Sequence, residues 1–354
     1  MTQPITPSAR VGEIDALRGL AAVSVMLFHY TTRIAELYPM GAVPLFSAPH
    51  GHYGVNLFFI ISGYVIFMTL QRTTRPMDFV VSRFSRLFPA YWAAVAVTFL
   101  VTLFLGLPGK TVTAWQALAN LGMVHNLFGV PHVDGVYWTL EVELFFYAGM
   151  FALYRSGQLG RIHTALWLML AARLSYHLAL TWFGVDLPWR IYKFLILGYI
   201  PWFAIGISIY LCLSPRRDTD KARSLAVIVG SLLLLALVDS VAVAALTAAM
   251  AALVWAAASR RLPWLSHPVM VWLGTISYTL YLLHENIGWA LQLQLRDLGV
   301  SRDLAILCAM ALSLLLATLL TRWVEQPAMA WIRQTWRRRK SDPAWTGPTT
   351  TRRP

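Results

Sequence analysis

Ten predominantly apolar stretches, at roughly 11–34, 53–70, 88–107, 137–154, 163–183, 194–213, 224–239, 241–258, 268–292 and 303–332, take up most of this 354-residue chain. A hydrocarbon layer takes about 20 residues of α-helix to cross, and a helix satisfies its own backbone hydrogen bonds in lipid. The pattern predicts an all-α integral membrane protein with about ten transmembrane helices. Charged residues form only 13% of the chain, about half their share in soluble domains, so the bilayer is the expected solvent. The spans leave little room for a second domain, and no internal repeat divides them. Residues 1–340 therefore read as one transmembrane domain, and the Pro-, Thr- and Arg-rich residues 341–354 as a polar, disordered cytoplasmic tail. No small-residue cleavage site follows the first run, so it reads as a retained span rather than a signal peptide.

The formal charge of +13 would point to nucleic acid in a soluble protein, but in a membrane protein it is read by position. With the N-terminus inside, the inner loops and tail collect Arg72, Arg75, Arg83, Arg86, Arg155, Arg161, Arg216, Arg217, Lys221, Arg223, Arg260, Arg261, Arg333 and Arg337. The outer loops hold chiefly Lys110, Arg190, Lys193, Arg296 and Arg302. This bias predicts cytoplasmic termini, contact with membrane lipids and no nucleic-acid partner. A weaker run at 112–130, interrupted by Asn120, His125 and Asn126, reads as interfacial or re-entrant; a crossing there would invert everything after it. Cys212 and Cys308 lie in apolar runs without metal-ligand spacing, so neither a metal site nor a disulfide is expected.

Ionisable side chains inside spans are costly and tend to face a protein interior or a water-filled cavity. Arg18 and His29 are eleven residues apart, close to three turns, which places them on one helix face about 16 Å apart along the axis. The pattern fits a cavity with an arginine at its mouth and an imidazole inside, or equally an Asp15–Arg18 pair at a helix end plus a histidine satisfied by its neighbours. Arg83 and Arg86 present two guanidiniums on one face, suited to a phosphate-rich ligand or to anchoring at the membrane surface. Glu141 and Glu143 fall on nearly opposite faces of their helix. Glu143 lies at a depth similar to His29, where a carboxylate would orient the imidazole, while Glu141 reads as structural. Ser277, Tyr281 and His284 form a stripe that suits either a polar acceptor or interhelical hydrogen bonds. Arg322 and Glu325, one turn apart, read as a structural ion pair.

Taken in order, these segments resemble the membrane acyltransferase family 3, which includes O-antigen, exopolysaccharide and Nod-factor acetylases. Ile14 to Ala22 with His29 resembles its opening arginine-to-histidine motif, and Gly54 to Tyr64 its second-span signature. Arg83 to Arg86 with Pro89 to Trp92 is similar to its arginine-pair motif, Trp138 to Glu143 to its tryptophan-to-glutamate motif, Leu273 to His284 to its late motif, and Val324 to Pro327 to its closing one. Thr139 stands where Ser is common, and Gln326 where a basic residue is frequent.

The resemblance implies ten helices around an intramembrane cavity, in a bacterial inner membrane. It implies acyl-coenzyme A, with acetyl favoured, as a donor substrate reaching the protein from the cytoplasm, and no tightly bound cofactor. The acceptor it implies is a hydroxyl of a cell-surface or lipid-linked glycan. His29 would sit at the reacting centre with Glu143 beside it, and Arg18, Arg83 and Arg86 would handle the donor's phosphates. Ser277, Tyr281 and His284 would face the acceptor. The alternative on the residues alone is a proton-coupled or anion transporter using His29, Glu143 and Arg18; Pro201 could break the sixth run, yet no second half carries a matching break.

Overall fold

The computed structural model describes residues 12–214 and 218–341. Among these residues the chain is helical, with two π turns, short 3-10 turns and no strand. Each apolar run forms helix. The first is α1 (Gly12–Phe28), running on through a π turn at His29–Arg33 into α2 (Ile34–Leu37). Next come α3 (Gly54–Arg72) and α4 (Pro76–Leu105), the latter begun by a proline in its first turn, where a missing N–H costs nothing. After the short α5 (Ala114–Asn120) follow α6 (Trp138–Arg155) and α7 (Ile162–Phe183). The short α8 (Trp189–Phe194) precedes the sixth run, which forms α9 (Ile200–Leu213), and then come α10 (Asp218–Val238) and α11 (Val241–Ala258). The ninth run divides at His284 into α12 (Pro268–Leu283) and α13 (Glu285–Asp297). The tenth is α14 (Arg302–Leu320), a π turn at Thr321–Glu325 and α15 (Gln326–Ser341).

Among the described residues, six helical segments are long and apolar enough to cross a membrane: Gly51–Arg72, Pro76–Leu105, Gly135–Arg155, Asp220–Val238, Val241–Ala258 and Arg302–Arg339. Leu233 and Leu237 of α10, each 65% exposed, show the outward apolar face that lipid rather than water stabilises. The chain is a multi-pass membrane protein. The other runs carry ionisable groups, as α1 does with Glu13, Asp15 and Arg18, or form shorter apolar helices such as Ile200–Leu213 and Pro268–Leu283. The weak run at 112–130 yields the seven-residue α5, about 10 Å long, and a 3-10 turn at His125–Phe128, so it does not cross. Thr113 and Gln116 start it with a reciprocal capping box. Arg216 and Arg217, used above to orient the chain, and residues 342–354 of the expected tail lie outside the described residues.

Helices in lipid associate by close packing, and small residues permit it. Where α1 meets α12, a Cβ on Gly19 would stand 2.6 Å from the Leu273 carbonyl carbon, and one on Gly274 would overlap the Asp15 carbonyl oxygen. Where α3 meets α9, a Cβ on Gly63 would overlap the Phe203 carbonyl oxygen and one on Gly206 that of Ile60. These crossings hold the Arg18–His29 helix against α12 and the cavity-lining α3 against α9. Gly206→Val is expected to destabilise the protein by about 1–3 kcal/mol through overpacking, read as a lower thermal transition in lipid. Gly149→Ala, with nothing within 4 Å of the added carbon, should leave the transition unchanged. Equal effects of the two would show that the α3–α9 crossing is not tightly packed.

Candidate active site

His29 opens the first π turn. The Ile34 N–H bonds back five residues to the His29 carbonyl, which also accepts the Trp289 indole N–H at 2.9 Å. Such turns recur at functional sites, and this one holds the imidazole against the junction of α12 and α13. At that junction the His284 carbonyl accepts both the Gly288 N–H at 3.1 Å and the Tyr30 hydroxyl at 2.6 Å. A side chain bonding into the helix ladder is a recognised cause of bending. Gly288 makes the approach possible, since a Cβ there would overlap the Tyr30 hydroxyl.

The hydrogen-bond network assigns the protons. His284 Nδ1 lies 2.9 Å from the Tyr281 carbonyl and 3.2 Å from that of Leu280. Carbonyls only accept, so Nδ1 carries the proton and Nε2 of the neutral ring holds a lone pair. That Nε2 lies 3.0 Å from His29 Nδ1, which is also 3.0 Å from the Val25 carbonyl. Facing two acceptors, His29 Nδ1 is the donor; the tautomer follows from the network rather than from hydrogen positions. His29 Nε2 is left with its lone pair at the edge of a cavity of about 430 Å³.

A carboxylate sits beside this nitrogen. Glu285 Oε2 is 3.5 Å from His29 Nε2, and Glu285 Oε1 is 3.8 Å from Lys110 Nζ, with the glutamate itself buried. Gly135 makes room for it, since a Cβ there would overlap Glu285 Oε1. The neighbouring Asp134 accepts the backbone N–H of Val136 at 3.2 Å and of Asn286 at 3.1 Å, tying the loop before α6 to the start of α13.

The residues singled out in the sequence distribute over two adjoining spaces. His29 and Tyr281 line the large cavity, and His284 stands behind His29. Arg18, Glu143, Ser277 and Tyr281 line a narrow void of about 30 Å³. Val55, Phe59 and Tyr281 border both. The Tyr281 hydroxyl lies 2.9 Å from Thr139 Oγ1, and Ser277 Oγ donates to the Gly274 carbonyl at 2.9 Å. Arg18 Nε is buried with no hydrogen-bond partner.

Glu143 was expected next to His29, but its Oε1 accepts from Ser62 Oγ and Tyr147 Oη, both at 2.5 Å, and the carboxylate at His29 Nε2 is Glu285. Trp138 lines the large cavity, and Glu143 lies five residues further along α6, about 7.5 Å deeper. Three consecutive polar residues, His284, Glu285 and Asn286, interrupt an apolar run; that interruption was the available sign of Glu285.

The arginine pair separates as well. The Arg83 guanidinium stands 5.8 Å from the Phe79 ring and 5.9 Å from the Tyr147 ring, and its Nε is buried without a partner. Arg86 instead forms an ion pair with the buried Glu325 and lies 5.7 Å over the Tyr278 ring. The expected Arg322–Glu325 pair does not form, because these residues fall in the second π turn, whose five-residue bonding breaks the register that would align them. Arg322 is exposed there, while Glu325 reaches α4.

Further along, Lys193 donates to Asn126 Oδ1 at 2.9 Å and pairs with the buried Glu141, joining α8 to α6. Nearby, His125 Nε2 is 2.9 Å from His132 Nδ1. Burial, then the Lys193 charge, push His125 down to about 4. Burial, then His125 and Lys193, push His132 down to about 3. Both rings are therefore neutral at physiological pH, one donating to the other.

Comparison with known proteins bears on this arrangement. Residues 11–322 match the profile of a family described as an acyltransferase domain. The ORF330 protein of Acidianus two-tailed virus, provisionally named an acetyltransferase, is 24% identical over 284 residues, covering 77% of this chain and 81% of its own. The exopolysaccharide production protein ExoZ of Rhizobium meliloti is 30% identical over 131 residues, 35% of this chain and 37% of its own. The peptidoglycan O-acetyltransferase OatA of Listeria monocytogenes is 27% identical over 155 residues, 39% of this chain and 23% of its own. The chain thus spans less than half the length of these last two. No solved structure matches it. With the profile running from α1 into the second π turn and enclosing His29 and Glu285, the chain belongs to the membrane acyltransferase family 3 and is an acyltransferase.

Proposed function

We propose that the protein moves an acyl group, acetyl by preference, from cytoplasmic acyl-coenzyme A to a hydroxyl of a cell-surface or lipid-linked glycan at a bacterial inner membrane. The observation that carries this reading is the alignment of Arg18 and His29 on one helix face, one lining the narrow void and the other the large cavity, with Val55, Phe59 and Tyr281 common to both. The roughly 16 Å between them suits an extended thioester arm. The names of ExoZ and OatA, which refer to exopolysaccharide production and peptidoglycan O-acetylation, support a glycan acceptor. The arginine-rich loops on one side support ten crossings with cytoplasmic termini.

In the mechanism, His29 Nε2 takes the proton of the acceptor hydroxyl as its oxygen attacks the thioester carbonyl carbon. The C–S bond breaks, the acyl group stays on the acceptor oxygen, and the departing sulfur recovers the proton from the imidazolium. The imidazolium that forms is stabilised by Glu285 at its Nε2 side and by the His284 lone pair at its Nδ1. Arg18 supplies charge-assisted hydrogen bonds to the donor's anionic groups.

The test is to incubate the protein in lipid with acetyl-coenzyme A and measure binding and slow thioester hydrolysis. Arg18→Ala should weaken binding about 10- to 100-fold, as expected for losing a hydrogen bond from a charged group. Folded wild-type protein that binds none of several acyl-coenzyme A donors would overturn the donor assignment.

A further inference from the structure

A third cavity, of about 290 Å³, lies between the first turns of α4 and the closing helix α15, lined by Asp78, Val81, Ser82, Arg333, Trp336 and Arg337. It is at the far end of α4 from His29: the other end of that helix, Leu105, accepts a hydrogen bond from Gln294 of α13 at 2.8 Å. Its polar groups are held in place. Arg333 Nε donates to Ser85 Oγ at 3.1 Å, and Trp336 Nε1 donates to Asp78 Oδ1 at 2.7 Å. Arg337 is exposed at the rim.

A series of contacts leads from this cavity to the reacting centre. Arg83 donates to Ser82 Oγ at 3.2 Å, so it adjoins the cavity wall, and its guanidinium faces the Tyr147 ring. Tyr147 donates to Glu143 at 2.5 Å. Glu143 lines the narrow void with Arg18, and that void shares its border with the cavity of His29. Arg83, Tyr147 and Glu143 thus link the wall of this cavity to the narrow void. Arg86, which the sequence placed with Arg83 at the donor's phosphates, is already neutralised by Glu325.

We propose that the α4–α15 cavity binds the adenosine 3′-phosphate end of the donor, beyond the diphosphate from which the thioester arm runs past Arg18 to His29. Arg333 and Arg337 contact that phosphate; guanidinium forks match phosphate oxygens in pairs. The Trp336 ring lies against the purine, and the Asp78 carboxylate accepts from the base amine. This inference rests on acyl-coenzyme A being the donor, and it adds the closing helix to Arg18 as a contact of the donor, beyond the diphosphate that Arg18 meets at the start of the arm.

The experiment uses the full chain in phosphatidylcholine nanodiscs, with adenosine 3′,5′-bisphosphate and acetyl-coenzyme A as binding probes and S-acetyl-pantetheine as a donor that lacks the nucleotide. The Arg333→Gln/Arg337→Gln variant should bind both nucleotide probes at least tenfold more weakly. Its preference for acetyl-coenzyme A over S-acetyl-pantetheine in thioester hydrolysis should fall by a similar factor, and Arg333→Lys/Arg337→Lys should recover part of both. Unchanged binding in the Gln variant, with acetyl-coenzyme A still bound by wild type, would overturn this site and leave the donor reading standing. Equal loss with S-acetyl-pantetheine would also overturn it, by showing a general structural defect. Unchanged nucleotide binding with weakened attachment to phosphatidylglycerol-containing vesicles would assign the arginines to lipid headgroups instead. Failure of wild type to bind any acyl-coenzyme A would overturn the donor reading and this site together.

Discussion

His29→Ala is expected to lower acyl transfer about 10³-fold or more while the protein still inserts and folds. General base catalysis alone is worth about 10²–10⁴-fold, and the replacement removes the ring nitrogen whose lone pair lies beside Glu285 at the edge of the large cavity. Folding should survive because the imidazole borders a cavity and its side chain is 13% exposed, so water can meet the His284 nitrogen it leaves behind. The measurement is acetyl release from acetyl-coenzyme A by protein in lipid, alongside its thermal transition. Activity above a tenth of wild type, in protein with an unshifted transition, would remove His29 from the chemistry.

Glu285→Gln is expected to cost about 10²-fold in turnover with little change in donor affinity. The amide keeps the shape but loses the negative charge that offsets the imidazolium, so the penalty falls on a charge present only as the reaction proceeds. Glu143→Gln should cost much less, because its carboxylate is committed to Ser62 and Tyr147. Gly135→Ala should resemble Glu285→Gln, since its new carbon would occupy the place of the Glu285 carboxylate. The comparison is made by measuring kcat and donor affinity for all three. A silent Glu285→Gln beside a damaging Glu143→Gln would return the catalytic carboxylate to α6.

Helical periodicity made some of this legible in advance. Arg18 and His29 share a helix, so a 3.6-residue period was enough to place them on one face, and the stripe ending at His284 was visible for the same reason. Pairings between helices were not. His29 meets His284 across 255 positions and Arg86 meets Glu325 across 239, and no period within a single run encodes such a meeting. The two π turns were also hidden, because an inserted residue leaves an apolar run looking unchanged. Depth misplaced Glu143 because rise along one helix was compared with rise along another before their relative offset was known.

The histidine pair has a consequence for proton traffic. The His284 proton at Nδ1 is capped by the carbonyls of Leu280 and Tyr281, which can accept a hydrogen bond but cannot take a proton onward. Behind His29 the pair is therefore a closed end: charge can gather there, but none can pass through. A proton drawn from the acceptor must leave by the nitrogen that received it, on the departing sulfur. Proton movement is then tied to turnover, one proton for each acyl group transferred, rather than an uncoupled leak.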